Sequence, residues 1–250
     1  MGDIHGAHKA LVQCLDRCEF DPNFDTLIQL GDVVDGWSDV YNTIEQLLKI
    51  KNLVQLMGNH DEWFLHYLYT GLHPVKWNQG GKATAVSYLR ECKRDHLIRF
   101  NGDGWLTGLN PGDIPDTHKK FFEKMLYRYE LRTESAYNCF VHGGFNINEL
   151  IEYQHNSIFL WDRELWKNAK NYKKGVSIPN FNDFTDIFIG HTHIDGGYNT
   201  ECLPLEFGRI YNLDTGAGWS GKLTIMDVNT KKYWQSDYVN KLYPDEFGRR

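Results

Sequence analysis

The N-terminal part of the chain alternates between short apolar runs and amphipathic stretches. Thr26–Leu30 and Leu53–Met57 are apolar runs that end at Gly-Asp and Gly-Asn, which is typical of buried strands that lead into loops. Ala7–Cys18, Val40–Ile50 and His60–Tyr69 have the apolar spacing of helices. This strand–loop–helix order predicts a parallel sheet with crossover helices, and therefore an α/β fold.

The pattern changes in the middle of the chain and again in its second half. Residues from about 71 to 134 contain Gly80-Gly81 and a helical stretch near Pro115–Leu126, which predicts a helical cap inserted into a single domain of residues 1–250. The second half is richer in strand-like runs, and the last two flank the turn residues Asn229-Thr230. These runs are Asn138–Val141, Asp186–Ile189, Arg209–Leu213, Leu223–Val228 and Lys232–Tyr238.

Composition excludes several classes of protein. The hydrophobic share of 41% and the charged share of 24% are those of an ordinary globular protein. No apolar run approaches the ~18 residues of a membrane span, and we see no signal-peptide pattern. The net charge of −6 argues against an extended nucleic-acid or anionic-membrane surface. Five cysteines without a CxxC pair favour a reduced, cytoplasmic setting.

Five loops combine glycine with Asp, Asn or His beside short apolar runs. They are Gly2-Asp3-Ile4-His5-Gly6, Gly31-Asp32-Val33-Val34-Asp35, Gly58-Asn59-His60-Asp61, His142-Gly143-Gly144 and Gly190-His191-Thr192-His193. Because sites in open α/β sheets form at the carboxyl ends of strands, these loops can converge on one crevice. Mixed oxygen and nitrogen donors suit Mn, Fe or Zn better than Ca. Two such metals ~3.5–4 Å apart, bridged by a carboxylate, can hold a phosphate for in-line attack.

Each loop alone also has an ordinary structural explanation. A Gly-Asp turn can be capped by its own Asp, an Asn-His pair can begin a helix, and His142 can be a buried histidine. The combination of all five, in this order, favours a metal site. Other histidines lack such a pattern, and we interpret them as lying on solvated faces or helix surfaces. They are His8, His66, His73, His96, His118 and His155.

The five motifs resemble the calcineurin-like metallophosphoesterase superfamily. Within it, the chain is most similar to the bacterial and phage branch of the serine/threonine protein phosphatases, which also contains the symmetric diadenosine tetraphosphatases. The matching segments extend over nearly the whole chain and include Trp77–Gly81 with Thr84, Phe140–Gly144, Leu160–Arg163 and Asp214–Ala217. The resemblance implies a four-layer α/β/β/α sandwich with two divalent transition-metal ions, Mn first and Fe or Zn as alternatives.

The resemblance also implies a role for each motif residue. One metal would be held by Asp3 and His5, a second by Asn59, His142 and His191, with Asp32 bridging and His193 at a further position on the first metal. His60 would be the general acid, oriented by Asp35. Arg163 and Asn59 would contact the substrate phosphate, since Arg offers a bidentate fork.

Two departures from the branch change the expectation. Gly36 stands where the branch has a phosphate-binding Arg, so one cation is missing. Either Arg163 carries the whole cationic contact, or the space admits a bulkier substrate that stacks on Trp37. The superfamily also has a core strand before Gly2, so we expect either that the chain as given is shortened or that the sheet lacks this strand.

The predicted activity is hydrolysis of a phosphomonoester by a metal-bridging hydroxide. A phosphoprotein, in the manner of a serine/threonine phosphatase, is the leading substrate, and the partner is this phosphorylated molecule rather than a membrane. A dinucleoside polyphosphate is the alternative substrate. A catalytically degenerate binding protein is the alternative of another class, and only Gly36 favours it.

Overall fold

The structure is a computed structural model and describes residues 1–101, 104–176, 183–194 and 201–249. The helices are α1 His8–Arg17, α2 Val40–Leu47, α3 Asn59–Thr70, α4 Gly81–Glu91, α5 Asp116–Glu123, α6 Asn156–Trp161, α7 Glu164–Ala169 and α8 Val239–Leu242. The strands are β1 Thr26–Gln29, β2 Asn52–Gln55, β3 Ile98–Asn101, β4 Gly104–Thr107, β5 Arg128–Arg132, β6 Tyr137–Val141, β7 Asp186–Ile189, β8 Leu205–Phe207, β9 Ile210–Asn212, β10 Thr224–Met226 and β11 Tyr233–Gln235. Every helix and strand predicted in the N-terminal part is present. The largest difference at an end is α2, which stops at Leu47 instead of Ile50.

Two sheets face each other across an apolar core. β1 and β2 pair in parallel, and the second sheet has the strand order β5-β6-β7-β9-β8, with β6, β7 and β9 parallel. Because successive side chains of a strand point to opposite faces, Phe140 of β6 joins the core that contains Ile28 of β1. Its neighbours Cys139 and Val141 enter a different core on the far face.

Helices cover the outer face of each sheet. The core outside β1 and β2 contains Leu11 of α1, Ile44 of α2 and Phe64 of α3. The core outside β6 and β7 contains Phe159 of α6 and Trp166 of α7. The order helix, sheet, sheet, helix confirms the four-layer α/β/β/α sandwich.

The inserted middle segment contains strands as well as the expected helices. Besides α4 and α5 it holds the antiparallel hairpin β3–β4, and its last strand, β5, pairs antiparallel with β6 in the larger sheet. We did not predict β5, because its half-buried sequence Arg-Tyr-Glu-Leu-Arg has the polar composition of an edge strand and gives a weak signal. The limits of the insertion, about 71 to 134, stay a prediction.

Residues at the start of the chain connect the two halves of the molecule. The Met1 ammonium donates to the carbonyl of Ile28 at 2.8 Å, and Leu30 N donates to the Met1 carbonyl at 3.0 Å. Gly2 N donates to the Thr224 carbonyl at 3.0 Å on the other side. These hydrogen bonds fix the loop that carries Asp3 and His5. The predicted hairpin near the C-terminus is confirmed as β10–β11.

No helix in the described ranges is long and apolar enough to cross a membrane. All five cysteines are free thiols.

Candidate functional site

The carboxyl ends of the parallel strands bring the predicted loops to one edge of the sandwich. Asp32 follows β1, Asn59 follows β2, His142 follows β6 and His191 follows β7. Two groups of buried side chains form there, each with its ligand atoms within 4.8 Å of one another: Asp3, His5 and Asp32, and Asp32, His142 and His191. Asp32 belongs to both, and its Oδ2 lies 3.6 Å from His5 Nε2 and 3.5 Å from His142 Nε2.

Two of the histidines are held with one ring nitrogen directed into these groups. His5 Nδ1 lies 2.9 Å from the Val34 carbonyl, and His142 Nδ1 lies 2.9 Å from the Leu30 carbonyl. A carbonyl can only accept, so Nδ1 must be the donor in both rings. In the neutral ring this leaves an acceptor lone pair on Nε2. His142 Nε2 lies 3.2 Å from Asn59 Oδ1. The hydrogen bonds from Nδ1 to the two carbonyls fix the tautomer in which Nε2 can bind a metal.

Several buried polar atoms at the site have no hydrogen-bond partner among the described residues. They are Asp3 Oδ1, His60 Nε2 and His191 Nε2. A buried polar atom without a partner costs about 1–3 kcal/mol, so such atoms are candidates for binding a metal ion or a substrate. Carboxylate oxygens and imidazole nitrogens are the donor set of divalent transition metals. The residues therefore fit two metal ions that share Asp32.

The backbone at the site is strained where these side chains leave it. Four of the site residues have a positive φ, namely His5 at 51°, Asp32 at 56°, Asp35 at 64° and His191 at 60°. Such conformations persist when the surrounding structure imposes them, as it does at functional sites. Two carboxylates of the site approach the backbone so closely that only glycine fits there. A Cβ on Gly58 would lie 2.1 Å from Asp32 Oδ1, and one on Gly190 would lie 2.1 Å from Asp3 Oδ1.

The electrostatic field of the site favours a cation at its centre. Burial, reinforced by the Asp214 and Asp32 carboxylates, raises the pKa of Asp3 well above its usual range. Burial alone would lower the pKa of His142, but Asp32 more than offsets this effect and raises it to about 9. The same negative field that favours a proton on His142 favours a metal ion in the proton's place.

His60 and Asp35 form a buried pair beside the metal ligands. His60 Nδ1 lies 2.9 Å from Asp35 Oδ2. The other carboxylate oxygen accepts from Trp77 Nε1 at 2.9 Å and from the Thr84 hydroxyl at 2.6 Å, both in the middle segment. His60 N donates to Asp32 Oδ1 at 3.0 Å, which ties the pair to the shared carboxylate. His60 Nε2 has no hydrogen-bond partner among the described residues.

An arginine and two tryptophans line the rim. The exposed Arg163 donates through Nη1 to the His191 carbonyl at 3.4 Å and to the Thr192 hydroxyl at 3.3 Å. The Trp63 ring centroid lies 4.6 Å from that of His60 and 5.7 Å from that of Trp161. Trp161 in turn lies 5.7 Å from His191. An aromatic pair therefore connects the two histidines at the mouth of the site.

His193 is not a member of either group of side chains that could hold a metal ion. A Cβ on Gly216 would lie 2.5 Å from His193 Nε2. The neighbouring Asp214 accepts from Gly216 N at 3.1 Å. Burial raises the pKa of Asp214, and His193 acts in the opposite direction. The structure therefore places His193 next to the buried Asp214.

Sequence reasoning assigned no role to three charged residues at the site: Asp61, Asp214 and Arg249. The Asp61 carboxylate accepts from Asp32 N at 2.7 Å and from Gly58 N at 3.0 Å, so it ties the Asp32 loop to the start of α3. An acidic residue at the third position of a helix is a capping signal that could have identified it. Asp214 could have been found because it follows β9, as the other loops follow their strands. No local pattern marks Arg249.

The structure argues against one alternative raised by the sequence, stacking of a substrate on Trp37, and shows that one interpretation, that of His118, is wrong. Trp37 is only 1% exposed, donates from Nε1 to the Ala217 carbonyl at 2.7 Å and stacks on Tyr243, so no substrate can stack on it. His118 is buried rather than solvated, because Glu45 and Tyr88 satisfy both of its ring nitrogens.

The comparisons with known proteins give the same assignment as this geometry. A family model described as calcineurin-like phosphoesterase matches residues 1–195. The chain belongs to the calcineurin-like phosphoesterase family. It is accordingly a metal-dependent phosphatase, a hydrolase that uses divalent metal ions on a phosphorylated substrate.

Individual relatives carry two different names. The chain is 23% identical over 230 residues to serine/threonine-protein phosphatase 1 of Salmonella typhimurium, with 91% of this chain and 90% of the relative covered. It is 36% identical over 269 residues to the symmetrical bis(5'-nucleosyl)-tetraphosphatase of Proteus mirabilis, with 94% and 95% covered. A metallophosphoesterase structure from Sphaerobacter thermophilus has the same fold, with a TM-score of 0.50 and 14% identity over 98% of this chain and 92% of that one.

Proposed function

We propose that the protein is a dinuclear phosphomonoesterase that acts as a serine/threonine-type protein phosphatase. The observation that carries this proposal is the sharing of Asp32 by two groups of metal-ligating side chains, directly beside the unpartnered Nε2 of His60. This combination supplies two adjacent cation positions and a proton donor, which are the parts that phosphoester hydrolysis needs.

The ligand roles follow from the two groups. Asp3 and His5 would hold one divalent ion and His142, His191 and Asn59 the other, with Asp32 between them and His193 as a further ligand of the first. When bound, the ions supply positive charge to the phosphate and lower the pKa of water toward ~7. We expect manganese in both positions, with iron or zinc as alternatives, because the donors combine oxygen with imidazole nitrogen.

His60 acts as the general acid in the proposed reaction. A water molecule gives up one proton to solvent as its oxygen adds to phosphorus, the ester P–O bond breaks, and the proton on His60 Nε2 moves to the leaving oxygen. His60 then recovers a proton from solvent. Asp35 holds the opposite ring nitrogen at 2.9 Å and so fixes the orientation of the ring. Trp77 and Thr84 fix the Asp35 carboxylate, so the middle segment sets the direction of the donor. Arg163 and Asn59 bind the phosphate oxygens.

A dinucleoside polyphosphate is the second candidate substrate. The specific observation that favours it is the rim pair Trp63 and Trp161, whose exposed face can stack on a nucleobase. The Proteus mirabilis relative bears this activity in its name. A binding protein without catalysis is disfavoured, because every predicted metal ligand and His60 are present.

The test is a substrate panel on metal-stripped protein reloaded with Mn²⁺. A phosphoserine peptide, p-nitrophenyl phosphate and diadenosine tetraphosphate are compared by kcat/KM. We expect the phosphopeptide to be the best of the three and Trp161→Ala to change its kcat/KM little. A preference for diadenosine tetraphosphate that Trp161→Ala removes would favour the second candidate. Two bound metals without turnover on any ester would leave only the binding protein.

A further inference from the structure

Gly36 stands where the family resemblance places a phosphate-binding arginine, and the side chain of Arg249 packs against it. Gly36 has a φ of 133°, a backbone conformation that favours glycine. A Cβ at this position would lie 3.0 Å from the Cβ and the carbonyl oxygen of His5, and 3.3 Å from Cγ of Arg249. The Arg249 side chain thus runs past Gly36 beside a proposed metal ligand, and a larger residue at position 36 would displace it.

The C-terminal segment is anchored to the Gly36 loop by several contacts. Arg249 N donates to the Gly218 carbonyl at 2.9 Å. Ser38 donates through its backbone N and its hydroxyl to the Glu246 carboxylate at 2.9 and 2.8 Å. Gly218 is also needed for the approach, because a Cβ there would lie 2.4 Å from His5 Cδ2 and 2.8 Å from Arg249 Cδ. Arg249 therefore reaches the site between two glycines, from a backbone that is held in place.

The charged end of Arg249 is incompletely paired. Nη1 donates to His5 Nε2 at 3.3 Å, and the guanidinium lies 5.3 Å above the Trp219 ring. Nε is buried without a partner. Within the described part of the chain, no carboxylate lies within 4.0 Å of its nitrogens. A guanidinium offers five donors in a planar fork, and here few of them are used.

We infer that Arg249 is a phosphate-binding residue and supplies the cation that Gly36 leaves absent. The inference rests on the proposed phosphatase function. His5 Nε2 is a proposed metal ligand. If its lone pair bound a metal ion, it could no longer accept a hydrogen bond from Arg249, and the guanidinium would be available to another partner. The planar fork then matches two phosphate oxygens. Arg163 lies beside His191 and Arg249 beside His5, so the two arginines approach the Asp32-centred site from its two metal positions.

The experiment compares Arg249→Ala and Arg249→Lys with Arg17→Ala, a matched control whose guanidinium pairs with Asp237 on the surface. Metal stoichiometry and melting temperature are measured first, and both are expected to stay near wild type. On p-nitrophenyl phosphate with Mn²⁺, Arg249→Ala is expected to lower kcat/KM about tenfold to a hundredfold, as for loss of a charge-assisted hydrogen bond. Arg249→Lys is expected to keep part of the kcat/KM that Arg249→Ala loses. Arg17→Ala is expected to keep the kcat/KM of the wild type.

Titration of each Mn²⁺-loaded protein with orthophosphate gives a second readout that does not depend on turnover. Arg249→Ala is expected to weaken orthophosphate binding by a similar factor. Unchanged kcat/KM and orthophosphate affinity would overturn the inference. So would tighter metal binding with undiminished turnover, because Arg249 would then merely compete with the metal for His5. A wild type inactive on every ester refutes the proposed function instead, and the orthophosphate titration still decides the role of Arg249.

Discussion

His60 and His118 are both buried and each lies within hydrogen-bond distance of a carboxylate, but they differ in the partners of the second ring nitrogen. His60 and His118 are both 0% exposed. His118 Nε2 lies 2.8 Å from Glu45 and its Nδ1 lies 2.9 Å from the Tyr88 hydroxyl. His60 has one such partner, Asp35 at 2.9 Å, and its Nε2 has none among the described residues.

The difference indicates that His118 has a structural role and makes His60 the candidate for proton transfer. A ring with both nitrogens satisfied stabilises the fold through its hydrogen bonds and has nothing left for a substrate. A ring with one nitrogen held and the other open keeps the orientation that proton transfer requires. The neighbourhood differs as well, since His60 N donates to the shared Asp32, whereas His118 lies among the aromatic rings of Tyr41 and Tyr88.

Removal of the metal ions is expected to have the largest effect. It should disturb the surroundings of His60 and leave those of His118 unchanged. Exhaustive chelation is expected to abolish turnover, because the proposed reaction needs the ions that the two groups sharing Asp32 would hold. The fold around His118 should persist, as judged by far-UV circular dichroism. Readdition of Mn²⁺, Fe²⁺ or Zn²⁺ in separate samples then identifies the most active metal. Full activity after chelation would refute the two-metal proposal.

His60→Asn is expected to lower kcat about 10²–10⁴-fold on a phosphoserine peptide, the usual contribution of a general acid. The loss should be smaller on p-nitrophenyl phosphate, whose leaving group needs little protonation. His66→Asn, on the exposed face of the same helix, is the matched control and should behave as wild type. An unchanged kcat on the peptide, with metal content preserved, would exclude His60 as the acid.

His193 tests a third kind of histidine, half-buried and next to Asp214. Outer partners of metal ligands typically contribute 10–100-fold in metal affinity, and a direct ligand contributes at least as much. We therefore expect His193→Ala to weaken retention of one of two Mn²⁺ ions by about tenfold or more. Isothermal titration measures this effect, and two sites of wild-type affinity would assign His193 no part in metal binding.

The smallest effect on turnover is expected from His118→Asn, the same substitution at the structural histidine. Loss of the ring leaves the buried Tyr88 hydroxyl unsatisfied, which costs about 1–3 kcal/mol of the free energy of unfolding. Denaturant titration measures this loss, while kcat is expected to stay within about twofold of wild type. A fall in kcat as large as that of His60→Asn would contradict the distinction between the two rings.

The sequence by itself determined the fold class and identified the loops that carry the candidate metal ligands. Apolar runs that end at Gly-Asp32 and Gly-Asn59 are local patterns, and strands of a parallel sheet must end at the same edge. Asp3, His5, Asp32, His142 and His191 come together in the two groups, and Asn59 lies beside His142. The role of His193 stays a prediction. The family resemblance implied that Asp35 orients His60, and the two side chains lie 2.9 Å apart.

Only the tertiary structure decided that Nε2 of His60 has no hydrogen-bond partner among the described residues and that Arg249 lies beside His5. His60 and His118 differ through partners that lie far apart along the chain and follow no helical or strand period. Arg249 reaches His5 across a separation of 244 residues, and β5 finds its place only by pairing with β6. Contacts of this kind depend on how whole elements pack, whereas periodicity and capping report only on neighbours within a few turns of chain.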